Sequence, residues 1–301
     1  MLLRHRLSNV CKKRIRHGNG QKLAIRRMVK DSVLLVFPHL RRNLVKNGQK
    51  LFYGSRSLEM KDGAFPFMNW GYAPVDKDEK SPRLELEDES ARYGLQMYHH
   101  LVSRIDIAGK KILEVGCGRG GGSRYIASHF QPESVTGLDL SSENINACKR
   151  KADHGRLSYL EGDAEALPFP DESFDVIINV ESSHDYPNFP RFLDGVRRVL
   201  RKGGYFLFTD YRTELGMLQV KAHLSKGWDL GLIQYRDITA NVVESLRQND
   251  KPMRETIRKY FPDGEQSEFY SKWVRLEGSP GFNRFRDRLE VYASFFYCKM
   301  R

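Results

Sequence analysis

The sequence predicts an α/β protein built on a doubly wound, mainly parallel sheet. Three observations carry this. Short apolar strands alternate with amphipathic helices between residues 111 and 211, the pacing of βαβ units. A glycine-rich turn, Gly116-Cys117-Gly118-Arg119-Gly120, follows the first strand of that run directly. An acid, Asp139, closes the second strand, where doubly wound sheets meet their ligands.

Taken in order, residues 1–50 form an Arg-rich arm in which Lys22 to Leu44 has helical character broken near Pro38. Residues 51–108 follow as a cap and lead-in, with turn signals at Tyr53-Gly54-Ser55, Lys61-Asp62-Gly63 and Ser81-Pro82 around the aromatic cluster Phe65–Tyr72. Leu95, Tyr98, His99 and Val102 recur at helical spacing and predict a helix from about Glu89 to Ile105. Strands are then expected at Lys111–Val115, Ser134–Leu140, Leu157–Ala164, Phe174–Ser182 and Tyr205–Tyr211. Between them fall helices at Arg124–Phe130, at Glu143–Lys151 with Ser141 or Ser142 as cap, and at Phe189–Leu200, ending before Lys202-Gly203-Gly204. Residues 213–272 read as a mostly helical insertion, with Ile238–Gln248 its clearest piece. The tail alternates, Val291, Ala293 and Phe295 against Tyr292, Ser294 and Phe296, and predicts a late strand.

Composition narrows the class. With 40% hydrophobic and 11% aromatic residues in 301, the chain has the means for a sizeable core. Its four cysteines never fall at C-x-x-C spacing, which argues against a disulfide scaffold or a structural zinc and for a reducing compartment. The longest clean apolar run is Val33–Phe37, so no bilayer-crossing segment is expected. The net charge of +12 is unevenly placed. Residues 1–50 hold 14 Lys/Arg against the single acid Asp31, a charge of +13, which leaves 36 Lys/Arg against 37 acids in the body, or −1. A nucleic-acid enzyme is therefore not expected, because the body has no basic surface to track a phosphate backbone.

The glycine turn has a chemical reading beside its structural one. Glycines suit a sharp turn whose backbone N–H groups approach a ligand closely. Glu114, two residues before Gly116, is a poor neighbour for phosphate and a good one for an ammonium group. Asp139 is placed to accept from two ribose hydroxyls, and Asp163, at the third strand's end, from an adenine amino group. An amino-acid nucleoside fits these acids better than a dinucleotide does.

These segments resemble a known family. Leu113–Gly122 (LEVGCGRGGG), Gly137–Ser141, Gly162–Ile177 and Arg198–Asp210 are similar, in order, to the motifs of class I S-adenosylmethionine (SAM)-dependent methyltransferases. The resemblance implies a Rossmann-like doubly wound sheet with SAM as cofactor and no metal. It also implies that Glu114, Gly116 and Gly118 hold the methionine part, Asp139 the ribose, Asp163 and Ala164 the adenine, and that the backbone near Asn179 closes the pocket. Outside the core, FMNWGY at Phe67–Tyr72, LQMYHHL at Leu95–Leu101 and the segment Asn179–Leu193 resemble the phthiotriol and phenolphthiotriol dimycocerosate methyltransferases and related glycolipid O-methyltransferases. Asp185 stands where those enzymes tend to have Cys.

For the reacting group, His184 lies just past the fourth strand, and imidazole suits removal of a hydroxyl proton; Asp185 or Asp210 is its candidate partner. Glu181 has a rival role, because sterol and prenyl C-methyltransferases also place a Glu and a His there, the acid stabilising a carbocation. Tyr72, with Trp70, Tyr98 and His99, is a candidate wall of the cofactor cavity. The expected activity is transfer of a methyl group from SAM to a hydroxyl of a lipid-like or polyketide-like small molecule. C-methylation of a sterol, prenyl or terpenoid acceptor is the alternative, and an RNA methyltransferase a more distant one. The protein is expected to be cytoplasmic; its arm is a candidate for docking at an anionic membrane surface, a basic extension closing over the SAM site is an equal reading, and a mitochondrial transit peptide is the minority one.

Overall fold

A computed structural model of the chain describes residues 38–60, 65, 67–76, 81–82, 84, 89–152, 155–226, 229–262 and 264–300. The expected helical character of Lys22–Phe37, the transit-peptide reading and the turn at Lys61–Gly63 lie outside these residues. The chain divides into two units, residues 1–48 and 49–301. In the first, residues 38–48 are helical, the opening turns of α1 (Pro38–Glu59). Proline is compatible with a helix's first turn, where its missing N–H would have had no partner, and α1 starts at Pro38. The same helix absorbs Tyr53-Gly54-Ser55, expected as a turn. Glycine belongs at position 54 because a Cβ there would lie 2.7 Å from Glu143 Oε2.

The second unit is organised by a seven-stranded sheet in the order β3-β2-β1-β4-β5-β7-β6. Strands β1 (Lys111–Val115), β2 (Ser134–Asp139), β3 (Leu157–Glu161), β4 (Phe174–Val180) and β5 (Leu200–Arg212) run parallel. β7 (Val291–Lys299) is antiparallel to β5, and β6 (Leu230–Asp237) antiparallel to β7 at the edge. Helices α2 (Arg92–Val102), α3 (Gly121–His129), α4 (Ser142–Arg150) and α5 (Phe189–Val199) are the lead-in and crossovers. Ser141 caps α4, its Oγ accepting from Asn144 N–H at 3.2 Å.

Both faces of the sheet are covered, as a parallel sheet requires. Ile112, Ile178 and Leu207 meet Met97, Val102 and Ile126 on one face. Leu113, Ile177 and Phe206 meet Phe192, Val196 and Val199 on the other. The strand order reverses between β1 and β4, with β2 and β3 to one side and β5 to the other, so the crevice beyond their carboxyl ends is the place for a ligand.

The insertion at 213–272 is mostly helical, with α6 (Glu214–Leu224), α7 (Thr239–Gln248), α8 (Asp250–Tyr260) and α9 (Gly264–Trp273), and it also holds strand β6 between α6 and α7. β6 hides from pattern reading because it is an edge strand with Leu232 and Ile233 exposed, and a register shift between Leu232 and Gln234 breaks its alternation. Lys202-Gly203-Gly204 lies within β5, where Gly203 at φ +73° kinks the strand between two stretches paired with β4. A last short helix, α10 (Pro280–Arg286), precedes β7.

Candidate active site

At the carboxyl end of β1 the chain turns through Gly116 (φ +74°) and Gly118 (φ +53°), left-handed conformations that glycine adopts without strain. Space demands glycine at 116 as well, since a Cβ would stand 2.3 Å from Ser182 Oγ. The Gly118 N–H donates to Asp139 Oδ2 at 2.9 Å, tying the turn to the acid at the end of β2. Asp139 Oδ1 accepts from Ser141 N–H at 2.9 Å and from Asn144 Nδ2 at 3.2 Å. Burial raises the Asp139 pKa, and these donors pull against that rise. Asp139 as a residue is half-buried beside the turn.

The other predicted cofactor residues divide. Asp163 follows β3, and its Oδ1 accepts from Glu165 N–H at 2.9 Å, capping the short turn Ala164–Ala166. Position and cap coexist, so Asp163 and Ala164 stay at the crevice. Glu114 is corrected. It has no exposed surface, Tyr98 donates to its Oε1 at 2.6 Å and Ser123 to its Oε2, and burial pushes its pKa up to about 7. It braces the turn from behind, out of a ligand's reach. Asn179 is likewise fully buried, and its Nδ2 donates to Val115 O at 2.8 Å, pinning β4 to the end of β1. Tyr72 is corrected too: its ring stacks on His100 at 4.2 Å. The residue of that segment lying over the turn is Met68, whose Sδ would be 3.1 Å from a Cβ on Gly118.

Beyond β4 the reacting groups come together. His184 Nδ1 lies 2.9 Å from Asp210 Oδ1, and the His184 N–H donates to Asp210 Oδ2 at 2.9 Å. The deep burial of Asp210 would raise its pKa, but the Arg212 guanidinium, 3.2 Å away, and His184 hold it well below the usual carboxylate range. An ionised carboxylate only accepts, so Nδ1 carries the proton and Nε2 the lone pair. Burial lowers the His184 pKa; Asp210 outweighs it, and the net shift is upward. Asp210 is thus the orienting partner. Asp185 Oδ2 stands 3.7 Å from Nε2 and accepts from Tyr53 OH at 2.5 Å. Gln49 donates to the Asp185 carbonyl.

Glu181 sits at φ +46°, a strained conformation for a non-glycine residue. Its Oε2 accepts from Trp70 N–H at 2.9 Å and Tyr292 OH at 2.8 Å, and burial pushes its pKa up to about 8. The Tyr211 ring lies 4.6 Å from both the His184 and the Trp70 rings, and the Arg275 guanidinium caps Trp70 at 3.8 Å. Sequence reading missed Tyr53 and Tyr292. Tyr53 was assigned to a turn. Tyr292 was placed on a strand face whose orientation only the register of β7 on β5 reveals.

Comparison with known proteins agrees with this geometry. Residues 113–208 match the family described as a methyltransferase domain. A fatty-acid O-methyltransferase of Mycolicibacterium smegmatis is 36% identical over 261 residues, covering 85% of this chain and 91% of that protein. The chain belongs to this methyltransferase family. Phthiotriol/phenolphthiotriol dimycocerosates methyltransferase 1 of Mycobacterium ulcerans is 42% identical over 199 residues, 65% of this chain and 71% of that one. Among solved structures, the cyclopropane synthase MmaA2 of Mycobacterium tuberculosis shares the fold at TM-score 0.60 and 15% identity, over 80% of this chain and 95% of that one. Geranyl diphosphate C-methyltransferase of Streptomyces coelicolor A3(2), in complex with Mg2+, geranyl diphosphate and S-adenosyl-L-homocysteine, does so at 0.57 and 14%, over 85% and 98%. The methyltransferase uses S-adenosylmethionine. The glycine turn and the half-buried Asp139 fit that cofactor, one offering close backbone approach and the other a charged acceptor for hydroxyls.

Proposed function

We propose that the enzyme methylates a hydroxyl of a lipid-like acceptor, with His184 as general base and Asp210 as its orienting partner. The observation that carries this reading is the 2.9 Å contact between His184 Nδ1 and a buried, ionised Asp210. When bound, S-adenosylmethionine supplies a methyl group made electrophilic by its sulfonium. What this chain must add is alignment and a place for the acceptor's proton. His184 Nε2 accepts that proton, and Asp210 stabilises the imidazolium that results. Proton removal matters for a hydroxyl. A fatty-acid carboxylate is already ionised near neutral pH and would meet Asp185 and Asp210 as like charges. The names of the two relatives, one a fatty-acid and one a phthiotriol methyltransferase, support a lipid-like acceptor of one kind or the other.

Glu181 does not favour C-methylation. Burial pushes the Glu181 carboxyl pKa up to about 8, which opposes the charged form that would stabilise a carbocation. Its two hydrogen bonds fix the Trp70 segment and Tyr292 beside the base instead. The +13 of residues 1–50 supports docking of the cytoplasmic enzyme at an anionic surface, where such an acceptor partitions. The test is mass spectrometry of a lipid extract incubated with the enzyme and methyl-labelled cofactor. Label released by ether cleavage is expected; label lost on mild ester hydrolysis would mean a carboxylate acceptor, and label retained on carbon would overturn O-methylation.

A further inference from the structure

A cavity of about 690 Å³ opens on the sheet face covered by α2, between that helix and strands β6 and β7. Tyr72, Gln96, His99, Arg104, Arg236 and Phe296 are among its lining residues, and none of the glycine turn, Asp139, His184 or Asp210 is. The volume lies in the range of pockets that hold small organic ligands.

Its electrostatics point one way. Among the described lining residues are two guanidinium groups, Arg104 and Arg236, and one acid, Asp76. Arg104 is oriented by donation to His100 O at 2.9 Å and to Gln234 Oε1. Arg236 is exposed and makes no hydrogen bond or ion pair among the described residues, because the neighbouring Asp237 is taken by Arg288 at 2.6 Å. A planar guanidinium without a partner is suited to grip a carboxylate or phosphate by two bonds. The rest of the lining mixes polar groups, Ser81, Ser103 and Gln234 among them, with an apolar strip: Phe296 is half-buried, Tyr72 stacks on His100, and Ile233 stands exposed. Gln96 adds a buried Oε1 without a hydrogen-bond partner.

We propose that this cavity is a second ligand site, separate from the methyl-transfer site, which binds an amphiphilic organic anion: an ionised carboxylate or phosphate ester on an apolar body. Arg236 receives the anionic group, and Phe296, Ile233 and the Tyr72 ring receive the body. The inference does not depend on the identity of the methyl acceptor.

Titration calorimetry on the full chain tests it with four probes: decanoate, decyl phosphate, decanol and inorganic phosphate. The two amphiphilic anions are expected to bind at least about tenfold more tightly than decanol and than inorganic phosphate, and the better of the two names the anionic group. Arg236→Gln, at an exposed position, should weaken that binding about tenfold or more while leaving cofactor affinity unchanged; His184→Ala should leave the anion's binding intact. The site would be refuted by equal binding of decanol, by wild-type affinity in Arg236→Gln, or by no binding at all. Loss of binding in His184→Ala alone would place the anion in the methyl-transfer site and equally overturn the proposal. Inorganic phosphate binding as well as decyl phosphate would overturn the amphiphile class.

Discussion

At the scale of single residues, His184 shows how far context changes one side chain. Its position after β4 makes it a candidate base; Asp210, which is ionised, accepts from Nδ1–H and so leaves the Nε2 lone pair as the candidate proton acceptor. His184→Ala should lower kcat by roughly 10²-fold or more while cofactor affinity stays near wild type. The pH profile carries a sign. The His184 pKa lies above its ordinary 6.5, and only the unprotonated ring accepts a proton, so kcat should fall as pH drops through a value above 6.5. In Asp210→Asn the surviving rate should lose that elevated limb. An acidic limb below 6.5 in the wild-type enzyme, measured in a buffer series, would remove His184 from the role. Asp185, by contrast, shows its use only in space: it brackets the same ring and holds Tyr53, 132 positions away in sequence.

At the scale of elements, the site is a junction of strand ends. The turn after β1, the acid ending β2, the segment after β4 and the acid near the end of β5 converge because parallel strands present their carboxyl ends on one side. Asp139 illustrates the coupling. Its carboxylate receives Gly118 N–H and caps the approach to α4 through Ser141 and Asn144, so it shapes the turn. Asp139→Ala should weaken S-adenosylmethionine binding by about 1.5–3 kcal/mol, with a smaller loss in Asp139→Asn, which keeps an acceptor. Calorimetry returning wild-type affinity for the alanine variant would take Asp139 out of the cofactor site. The elements that pattern reading found least well were those with one wet face or one kink: β6 at the edge, and β5 across Gly203.

At the scale of the whole molecule, charge and chemistry occupy different parts of the chain. The body carries −1 and holds the described catalytic groups, whereas residues 1–50 carry +13. Among the described residues no helix is long and apolar enough to cross a membrane. A surface-docking role therefore rests on attraction of Lys and Arg to anionic lipid, about 1 kcal/mol per basic residue near the surface. Full-length enzyme should co-sediment with anionic but not neutral vesicles, and salt should weaken the binding. Deleting residues 1–37 should remove most of it, since ten of the fourteen basic residues go with that segment. Equal sedimentation of the truncated protein would end the docking role.

Much of this architecture was legible before any coordinates. Strand–helix pacing determined the sheet, the glycine turn and Asp139 located the cofactor end, and the segment after β4 supplied His184 and Glu181, because each signal is local: periodicity, a left-handed turn, an acid at a strand's end. What only the tertiary structure decided depends on burial and on partners distant in sequence. Glu114, read as a cofactor ligand, is sealed behind Tyr98 and Ser123; Tyr72 turns to His100 on another face; Tyr53 and Tyr292 reach the site from a helix and a strand at opposite ends of the chain. A residue's type and spacing say what it is able to do, but whether it meets ligand, core or another side chain is set by the packing of elements that are far apart in sequence.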